Sequence, residues 1–148
     1  MFTHLLPHND AILFRIDFSD FSRRNYLKVL EKKYSKKVWG YTVESIIQDL
    51  SRIRTSASDM QKSMQVDELW HGENCWIFKY DFRVAGTKMS TKSSGNRVIA
   101  FLDSSKNYIE VLIIYDKGCL PKNKPETVFI KGIIKEKFPE YWERTHQS

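Results

Sequence analysis

The sequence predicts an α+β fold, in which an N-terminal strand and an αα-hairpin pack on a small antiparallel sheet and a C-terminal helix follows. Three observations lead to this prediction. Apolar residues recur at helical spacing between positions 43 and 53, and aromatic residues alternate between 76 and 82. Two β-branched segments then flank a four-residue turn, SSKN at 104–107, as in a hairpin.

The N-terminal half is expected to hold the strand and the first helix. Residues 11–18 have the mixed alternation of a strand. Asp20 and Ser22 follow and offer side-chain oxygens that can cap a helix, which we expect to run to about Ser35. Gly40 is expected to break this helix, because glycine is unfavourable inside helices.

A second helix is predicted to start near Thr42, and the short link makes the two helices a hairpin. The polar stretch 56–64 has no apolar stripe and is expected to be a loop or a frayed turn. The stripe of the second helix consists of Val43, Ile46, Ile47, Leu50 and Ile53.

Three strands are predicted in the second half, and short loops between them indicate an antiparallel meander. Residues 74–84 carry aromatic side chains on one face and are expected to leave a charged face in solvent. A polar loop at 85–96 precedes the strands at 97–103 and 108–115. The Trp70-His71-Gly72 segment is interpreted as a turn that enters the first of these strands.

The last predicted element is a helix that begins with Pro125 at its first position and Glu126 in its first turn. Pro139 is expected to end it. The resulting order is β-α-α-β-β-β-α. The length of the chain suits one domain spanning 1–148. In it, residues 1–68 hold the strand and helical hairpin, and residues 69–148 hold the sheet and last helix.

Composition narrows the classes of protein that fit. With 41% hydrophobic and 14% aromatic residues the chain can form a core, and its net charge of +6 fits an anionic partner or simple solubility. The absence of a long apolar run and of a secretion-type N-terminus predicts a cytoplasmic protein without a membrane segment. Cys75 and Cys119 are expected to be free thiols, and the four histidines lack metal-ligand spacing, so no metal site is predicted.

Two short motifs in the second half resemble those of a known family. Residues 92–99 read K-S-S-G-N-R-V-I, and residues 112–117 read L-I-I-Y-D-K. The combination resembles the HigB branch of the RelE/ParE superfamily of toxins from type II toxin–antitoxin systems. There the first motif is roughly K-S-G-G-x-R-V-I, so Ser94 departs from the pattern. The resemblance extends over about 69–136, whereas the first 68 residues fit by element type alone.

The resemblance implies an endoribonuclease that cleaves mRNA, usually on the ribosome, without a metal or other cofactor, and that is held by a cognate antitoxin. In such chemistry the ribose 2′-hydroxyl attacks the neighbouring phosphorus and the 5′-oxygen leaves, so cations must stabilise the developing charge. Arg97, Lys117, Lys92 and Tyr115 are the predicted catalytic residues. The predicted RNA-binding residues are Lys88, Lys79 and Arg83.

Each of these residues also has a purely structural interpretation. Arg97 can instead pair with Asp81 or Glu110, and Tyr115 can be an aromatic residue at the edge of the core. The basic face of the first helix fits a solvated surface as well as contact with RNA or antitoxin. Since a fold does not determine function, a non-catalytic protein that binds or inhibits a partner, such as gyrase, is the competing hypothesis. The acid and base candidates left open are Asp116, Glu126, Tyr141 and His71.

Overall fold

A computed structural model describes residues 14–53, 66–86 and 95–146, apart from the side chains of 26–30 and 119. The strands in this part are β1 (Arg15–Phe18), β2 (Val66–Gly72), β3 (Cys75–Phe82), β4 (Asn96–Asp103) and β5 (Tyr108–Asp116). The helices are α1 (Asp20–Ser22), α2 (Lys28–Lys33), α3 (Lys36–Ser51), α4 (Glu126–Lys137) and α5 (Pro139–Arg144). A π-helical stretch, Arg23–Leu27, joins α1 to α2, and a 3-10 turn, Lys117–Cys119, follows β5.

The described strands form one mixed sheet in the order β1-β5-β4-β3-β2. Strands β2 to β5 are an antiparallel meander, which confirms the predicted β3-β4-β5 part and the turn at 104–107. Strand β1 pairs with β5 in the parallel direction. The prediction of a small, purely antiparallel sheet is therefore corrected to a mixed sheet of five strands in the described residues. No helix among the described residues is long and apolar enough to span a membrane.

Strand β2 was not predicted, because its residues do not alternate regularly. The Trp70-His71-Gly72 segment is the end of this strand rather than a turn, and the turn itself lies at residues 73–74. Asn74 takes a positive φ of 57° there, a conformation that asparagine tolerates. The register between β2 and β3 shifts between Glu68 and Trp70, and this bulge disrupts the period of two that marks a strand.

One face of the sheet is covered by α3. The apolar stripe predicted for the second helix does supply buried side chains, among them Ile46 and Leu50. Strand β3 contributes its aromatic residues Phe78, Tyr80 and Phe82 to this core. Tyr80 donates a hydrogen bond from its hydroxyl to Asp49 of α3, which ties the helix to the sheet.

The other face of the sheet is covered by α4 and α5, which corrects the prediction of a solvated, charged face on β3. Ile77 is fully buried on this face and Asp81 is buried as well. Buried residues of α4, Ile130 and Ile134, pack against it, as does Phe101 of β4. The candidate site described below therefore lies under a helix.

The N-terminal helices differ from the prediction in their boundaries. The break comes at residues 34–35, where Ser35 caps α3 by accepting a hydrogen bond from Val38 N at 3.2 Å. Gly40 lies inside α3 and does not break a helix. The first helix is capped by Ser19, whose Oγ accepts from Ser22 N at 3.0 Å, rather than by Asp20 or Ser22. The predicted loop at 56–64 and the start of the predicted first strand, 11–13, lie outside the described residues.

The C-terminal region contains one more helix than the sequence predicted. Pro125 precedes α4 instead of occupying its first position, and Glu126 begins the helix. Pro139 lies at the start of α5 after a one-residue break at Phe138. The ring of Phe138 meets Phe21 edge to face at 6.0 Å between centroids, so α1 packs against this C-terminal layer.

A bulge in β5 determines which of its side chains face α4. Ile99 pairs with Ile113 and Ala100 with Val111, so Leu112 has no partner residue in the register. Leu112, Ile113 and Tyr115 consequently belong to the same core as α4, whereas Val111 belongs to the α3 core. This offset places Tyr115 below the first turn of α4.

Candidate functional site

A row of three side chains crosses the sheet under the start of α4. Asp81 on β3 pairs in register with Arg97 on β4, and Arg97 pairs with Tyr115 on β5. Directly opposed residues on neighbouring strands point to the same face and lie close together. All three are buried, with exposed fractions of 7% for Asp81, 6% for Arg97 and 3% for Tyr115.

The guanidinium of Arg97 lies between two carboxylates. Its Nε lies 3.0 Å from Oδ1 of Asp81 and 3.8 Å from Oε2 of Glu126. Arg97 therefore pairs with Asp81, one of the two partners expected if its role were purely structural. The other expected partner, Glu110, instead accepts hydrogen bonds from Tyr108 at 3.1 Å and from Tyr141 at 2.5 Å.

Glu126, the first residue of α4, is the centre of the cluster. Its Oε2 accepts a hydrogen bond of 2.6 Å from the hydroxyl of Tyr115, and its Oε1 lies 3.6 Å from Nζ of Lys79. The N-terminus of a helix also favours a negative charge. Burial raises the pKa of this carboxyl, but Tyr115, Lys79, Arg97 and Lys117 together outweigh burial and hold the pKa below its ordinary value. Glu126 is therefore an anion at neutral pH.

The pKa values of Asp81 and Tyr115 are displaced in the opposite direction. Burial raises the pKa of Asp81, against the attraction of Arg97 and Lys79. Burial and the hydrogen bond to Glu126 raise the pKa of Tyr115 far above its ordinary value. Tyr115 therefore stays a neutral hydroxyl that donates to anions, while Asp81 is a better proton acceptor than a solvated aspartate.

Lys79 and Lys117 supply further positive charge at the cluster. Lys79 lies on the same face of β3 as Asp81, and its Nζ is 3.9 Å from Oδ2 of Asp67 on β2. Lys117 follows β5 directly, is exposed, and its backbone N donates to Gly95 O at 2.7 Å. As predicted from the hairpin turn, Lys117 and Arg97 are at the same open end of the β4–β5 pair.

The basic face of the N-terminal helices reaches the same end of the sheet. Nζ of Lys33, at the end of α2, lies 3.6 Å from Oδ2 of Asp116, the last residue of β5. The same aspartate accepts a hydrogen bond from Gly118 N at 2.8 Å with its Oδ1. Lys33 thus lies at the end of β5, beside the aspartate that precedes Lys117.

Several sequence-predicted residues fall elsewhere. Lys88 and Lys92 lie outside the described residues. Arg83 is exposed one position beyond β3. His71 is exposed near the C-terminal end of β2, whereas Asp67 lies near its N-terminal end. Nδ1 of His71 lies 3.1 Å from Oε2 of Glu68. Tyr141, bound to Glu110, belongs to a different polar pair.

The carboxylates around the predicted cations are the main feature that sequence reasoning underestimated. Asp67, Asp81 and Glu126 face Lys79 and Arg97, so positive charge in the described cluster is matched by negative charge. The signal available in the sequence was the spacing of Lys79 and Asp81 two apart on β3, which puts them on one face. Asp67 could not be placed because β2 itself was not predicted.

Comparisons with known proteins leave the family of this chain open. No family model matches it, and no curated protein matches it. A solved structure to which the chain shows some similarity is the archaeal RelE–RelB complex from Pyrococcus horikoshii OT3. The similarity covers 74% of this chain and 100% of that chain, with 11% identity and a TM-score of 0.44.

No group of three or more histidine, cysteine, aspartate or glutamate side chains in the described ranges is arranged to hold a metal ion.

Proposed function

We propose that this protein is the toxin of a type II toxin–antitoxin pair, a HigB-like member of the RelE/ParE superfamily that cleaves mRNA. The observation that carries the proposal is the row Asp81-Arg97-Tyr115 beneath Glu126. It gathers the arginine and the tyrosine of the two family-like motifs with a lysine, Lys79, and a carboxylate, that of Asp81. These are the groups that a phosphodiester cleavage requires.

In the proposed reaction the ribose 2′-hydroxyl attacks the adjacent phosphorus, and its proton passes to a protein carboxylate. The bond from phosphorus to the 5′-oxygen breaks, and this oxygen takes a proton from solvent. The products are a 2′,3′-cyclic phosphate and a 5′-hydroxyl end. Arg97 holds the nonbridging oxygens with its planar fork, and Lys117 adds charge from the rim. Tyr115 donates its hydroxyl to the phosphate, and Asp81, whose pKa is raised, accepts the proton.

The proposed partners follow from the same family resemblance and from surface charge. The substrate is mRNA, engaged on the ribosome in the cytoplasm, and a cognate antitoxin protein binds the toxin. The net charge of +6 favours contact with RNA. Lysines and arginines of the N-terminal helices are exposed and available for that contact: Arg23, Arg24, Lys32, Lys33, Lys36 and Lys37.

A second candidate function, a non-catalytic binding protein, is favoured by one specific observation. Arg97 is only 6% exposed and is already paired with Asp81 and Glu126. A buried arginine between two carboxylates also serves as a structural element that fixes one packing of helix on sheet. This candidate predicts a protein partner and no cleavage of RNA.

Inducible expression with mapping of RNA 5′ ends separates the two candidates. The wild type is expected to arrest growth and create new mRNA ends, and Arg97→Ala is expected to abolish both. Lys106→Ala is the matched control, because Lys106 is an exposed cation in the turn at the opposite end of the β4–β5 hairpin. Soluble wild-type protein that leaves growth and RNA unchanged would contradict the toxin proposal and favour the binding-protein candidate.

A further inference from the structure

Three positively polarised groups in the cluster converge on a single side chain of the protein itself. Glu126 accepts the hydroxyl of Tyr115 at 2.6 Å, and its two oxygens lie 3.6 Å from Lys79 and 3.8 Å from Arg97. Glu126 is also the first residue of α4, a helix of 12 residues, and a helix N-terminus favours a negative charge.

This set of donors matches a phosphate as well as it matches a carboxylate. A guanidinium, an ammonium, a hydroxyl and a helix N-terminus are the groups with which proteins bind phosphate oxygens. Glu126 supplies an anion of the same charge sign, tethered by its own backbone. In the structure the carboxylate of Glu126 thus fills the place where these donors would meet a ligand.

We propose that Glu126 occupies the phosphate-binding position of the site, so that an RNA phosphate must displace its carboxylate to reach Arg97, Tyr115 and Lys79. The identity of the ligand as an RNA phosphodiester rests on the proposed function. The contact is autoinhibitory: the free protein holds its own anion in the site, and RNA binds only as that side chain turns away.

The side chain of Glu126 can leave without unfolding the helix that carries it. Its side chain is 19% exposed and belongs to the first turn of α4, next to the exposed Pro125. The anchoring residues of α4, Ile130 and Ile134, lie one and two turns further on and are fully buried or nearly so. Rotation of one side chain at the solvent edge therefore opens the site.

The experiment compares two isosteric substitutions on the same helix. Glu126→Gln removes the competing charge and keeps an oxygen that accepts from Tyr115. Glu136→Gln removes the same charge at a site whose side chain is 73% exposed and contacts Lys137 at 3.5 Å. The probe is a fluorescently labelled single-stranded RNA with 2′-O-methyl groups throughout, which cannot be cleaved, and the readout is its dissociation constant for the full-length protein.

Glu126→Gln is expected to bind this RNA about tenfold more tightly than the wild type, because a like charge no longer competes with the phosphate. Glu136→Gln is expected to bind as the wild type does, and Arg97→Ala added to Glu126→Gln is expected to remove the gain. Equal or weaker binding by Glu126→Gln would overturn the inference. Equal gains from both substitutions would also overturn it, since they would reflect net charge alone.

A second measurement covers the case in which Glu126→Gln fails to fold. Crystals of the wild type soaked in inorganic phosphate are expected to show the ion bonded to the Tyr115 hydroxyl and the Glu126 carboxylate turned away. Glu126 still bonded to Tyr115 after the soak would contradict the inference. Tighter RNA binding by Glu126→Gln without any RNA cleavage in cells would refute the proposed function alone, whereas cleavage without tighter binding would refute this inference alone.

Discussion

At the scale of single residues, the central feature is an arginine that is buried between carboxylates. Removing two charges from water is costly, and a buried pair recovers that cost only with good geometry and additional hydrogen bonds. The ionic contact is the 3.0 Å approach of Arg97 Nε to Asp81, and Nη1 of Arg97 also donates to the carbonyl oxygen of Asn96 at 3.3 Å. Glu126 accepts a further hydrogen bond from the hydroxyl of Tyr115. The cluster is thus held together as a network rather than as isolated pairs.

Tyr115→Phe tests the link between this network and stability. The substitution keeps the ring that meets Phe129 at 5.9 Å but removes the hydroxyl that Glu126 accepts. We expect the free energy of unfolding to fall by about 1.5 kcal/mol, the range for hydrogen bonds to charged groups. Urea denaturation measures it. Tyr41→Phe is the control, because Tyr41 is 56% exposed, and equal losses from the two variants would contradict the role of the hydroxyl.

The pKa of Glu126 predicts how stability changes in acid. Because its pKa in the folded protein lies below the ordinary value of 4.5, ionised Glu126 stabilises the fold above that value. This contribution is lost as the pH falls through the lower, folded pKa. We therefore expect the wild type to exceed Glu126→Gln in stability near neutral pH, with a difference that shrinks below about pH 4.5.

Urea denaturation of both proteins at a series of pH values checks this expectation. Asp81 is present in both proteins, so its contribution to the pH dependence differs between them only through the loss of the Glu126 charge, which helps to raise the pKa of Asp81. A stability difference that stays constant, or that grows as the solution becomes more acidic, would show that Glu126 does not act as a stabilising anion.

Sequence reasoning identified part of this residue-level arrangement. Arg97 and Lys117 were placed at one end of a hairpin from the length of its turn, and Asp81 was named as a partner for Arg97. The position of Glu126 over Arg97 was not predictable, because it depends on which face of the sheet α4 covers. Register along a hairpin is a local property, whereas helix placement is set by packing over the whole sheet.

At the scale of elements, the second helix shows how local propensity and packing diverge. Gly40 suggested a helix break because glycine in a helix costs about 1 kcal/mol relative to alanine. The buried face of α3, with Trp39 on one side of Gly40 and Thr42 on the other, outweighs that cost. The helix start is fixed instead by Ser35, whose side chain caps it.

Gly40→Ala is expected to stabilise the protein by about 0.5–1 kcal/mol, because alanine restricts the unfolded chain and a methyl group fits at this position. A Cβ at Gly40 would have nothing within 4 Å. Thermal unfolding measures the change as a higher Tm. A lower Tm would mean that residue 40 is not inside a helix, as the sequence first suggested.

Gly95→Ala provides the opposite comparison in the same assay. Gly95 has a φ of +80°, which residues with a side chain rarely adopt, and a Cβ there would lie 3.2 Å from Oδ1 of Asp116. We expect this variant to be less stable than the wild type by about 1 kcal/mol or more. A stability equal to that of Gly40→Ala would contradict the positive φ of Gly95.

Strands were predicted correctly where apolar and polar residues alternate regularly, and a strand was missed where a bulge interrupts that alternation. β3, β4 and β5 were recognised from aromatic alternation and β-branched residues. β2 was missed because its bulge near Leu69 puts consecutive residues on one face. The parallel pairing of β1 with β5 also escaped prediction, since a four-residue strand does not reveal its partner.

At the scale of the whole molecule, the described sheet lies between two helical layers instead of carrying helices on one side. The C-terminal layer is fixed by close contact between α5 and the β2–β3 turn. Sγ of Cys75 is 3.6 Å from Arg144 O, and the rings of Trp70 and Trp142 meet at 5.2 Å. The guanidinium of Arg144 is 3.1 Å from Asp103 on β4. This layer keeps α4, and with it Glu126, over the sheet.

Gly72→Ala tests this docking of the C-terminal layer. A Cβ at Gly72 would lie 1.9 Å from the carbonyl oxygen of Arg144, so the backbone of α5 must move. We expect a loss of stability of about 2 kcal/mol or more, as for overpacked core positions, together with increased tryptophan exposure measured by fluorescence. Unchanged fluorescence and Tm would contradict the close approach of α5 to the sheet.

The central claim is that the row Asp81-Arg97-Tyr115 promotes cleavage of RNA through attack by the 2′-hydroxyl of the RNA. The most direct test is selective capture of 2′,3′-cyclic phosphate ends from cells expressing the wild type or Arg97→Lys, with both proteins soluble and folded. Lysine keeps the charge but lacks the planar fork that holds two phosphate oxygens. We predict new cyclic-phosphate ends in mRNA with the wild type and their loss with Arg97→Lys. No new ends with the wild type, or equal ends with both proteins, would contradict the account.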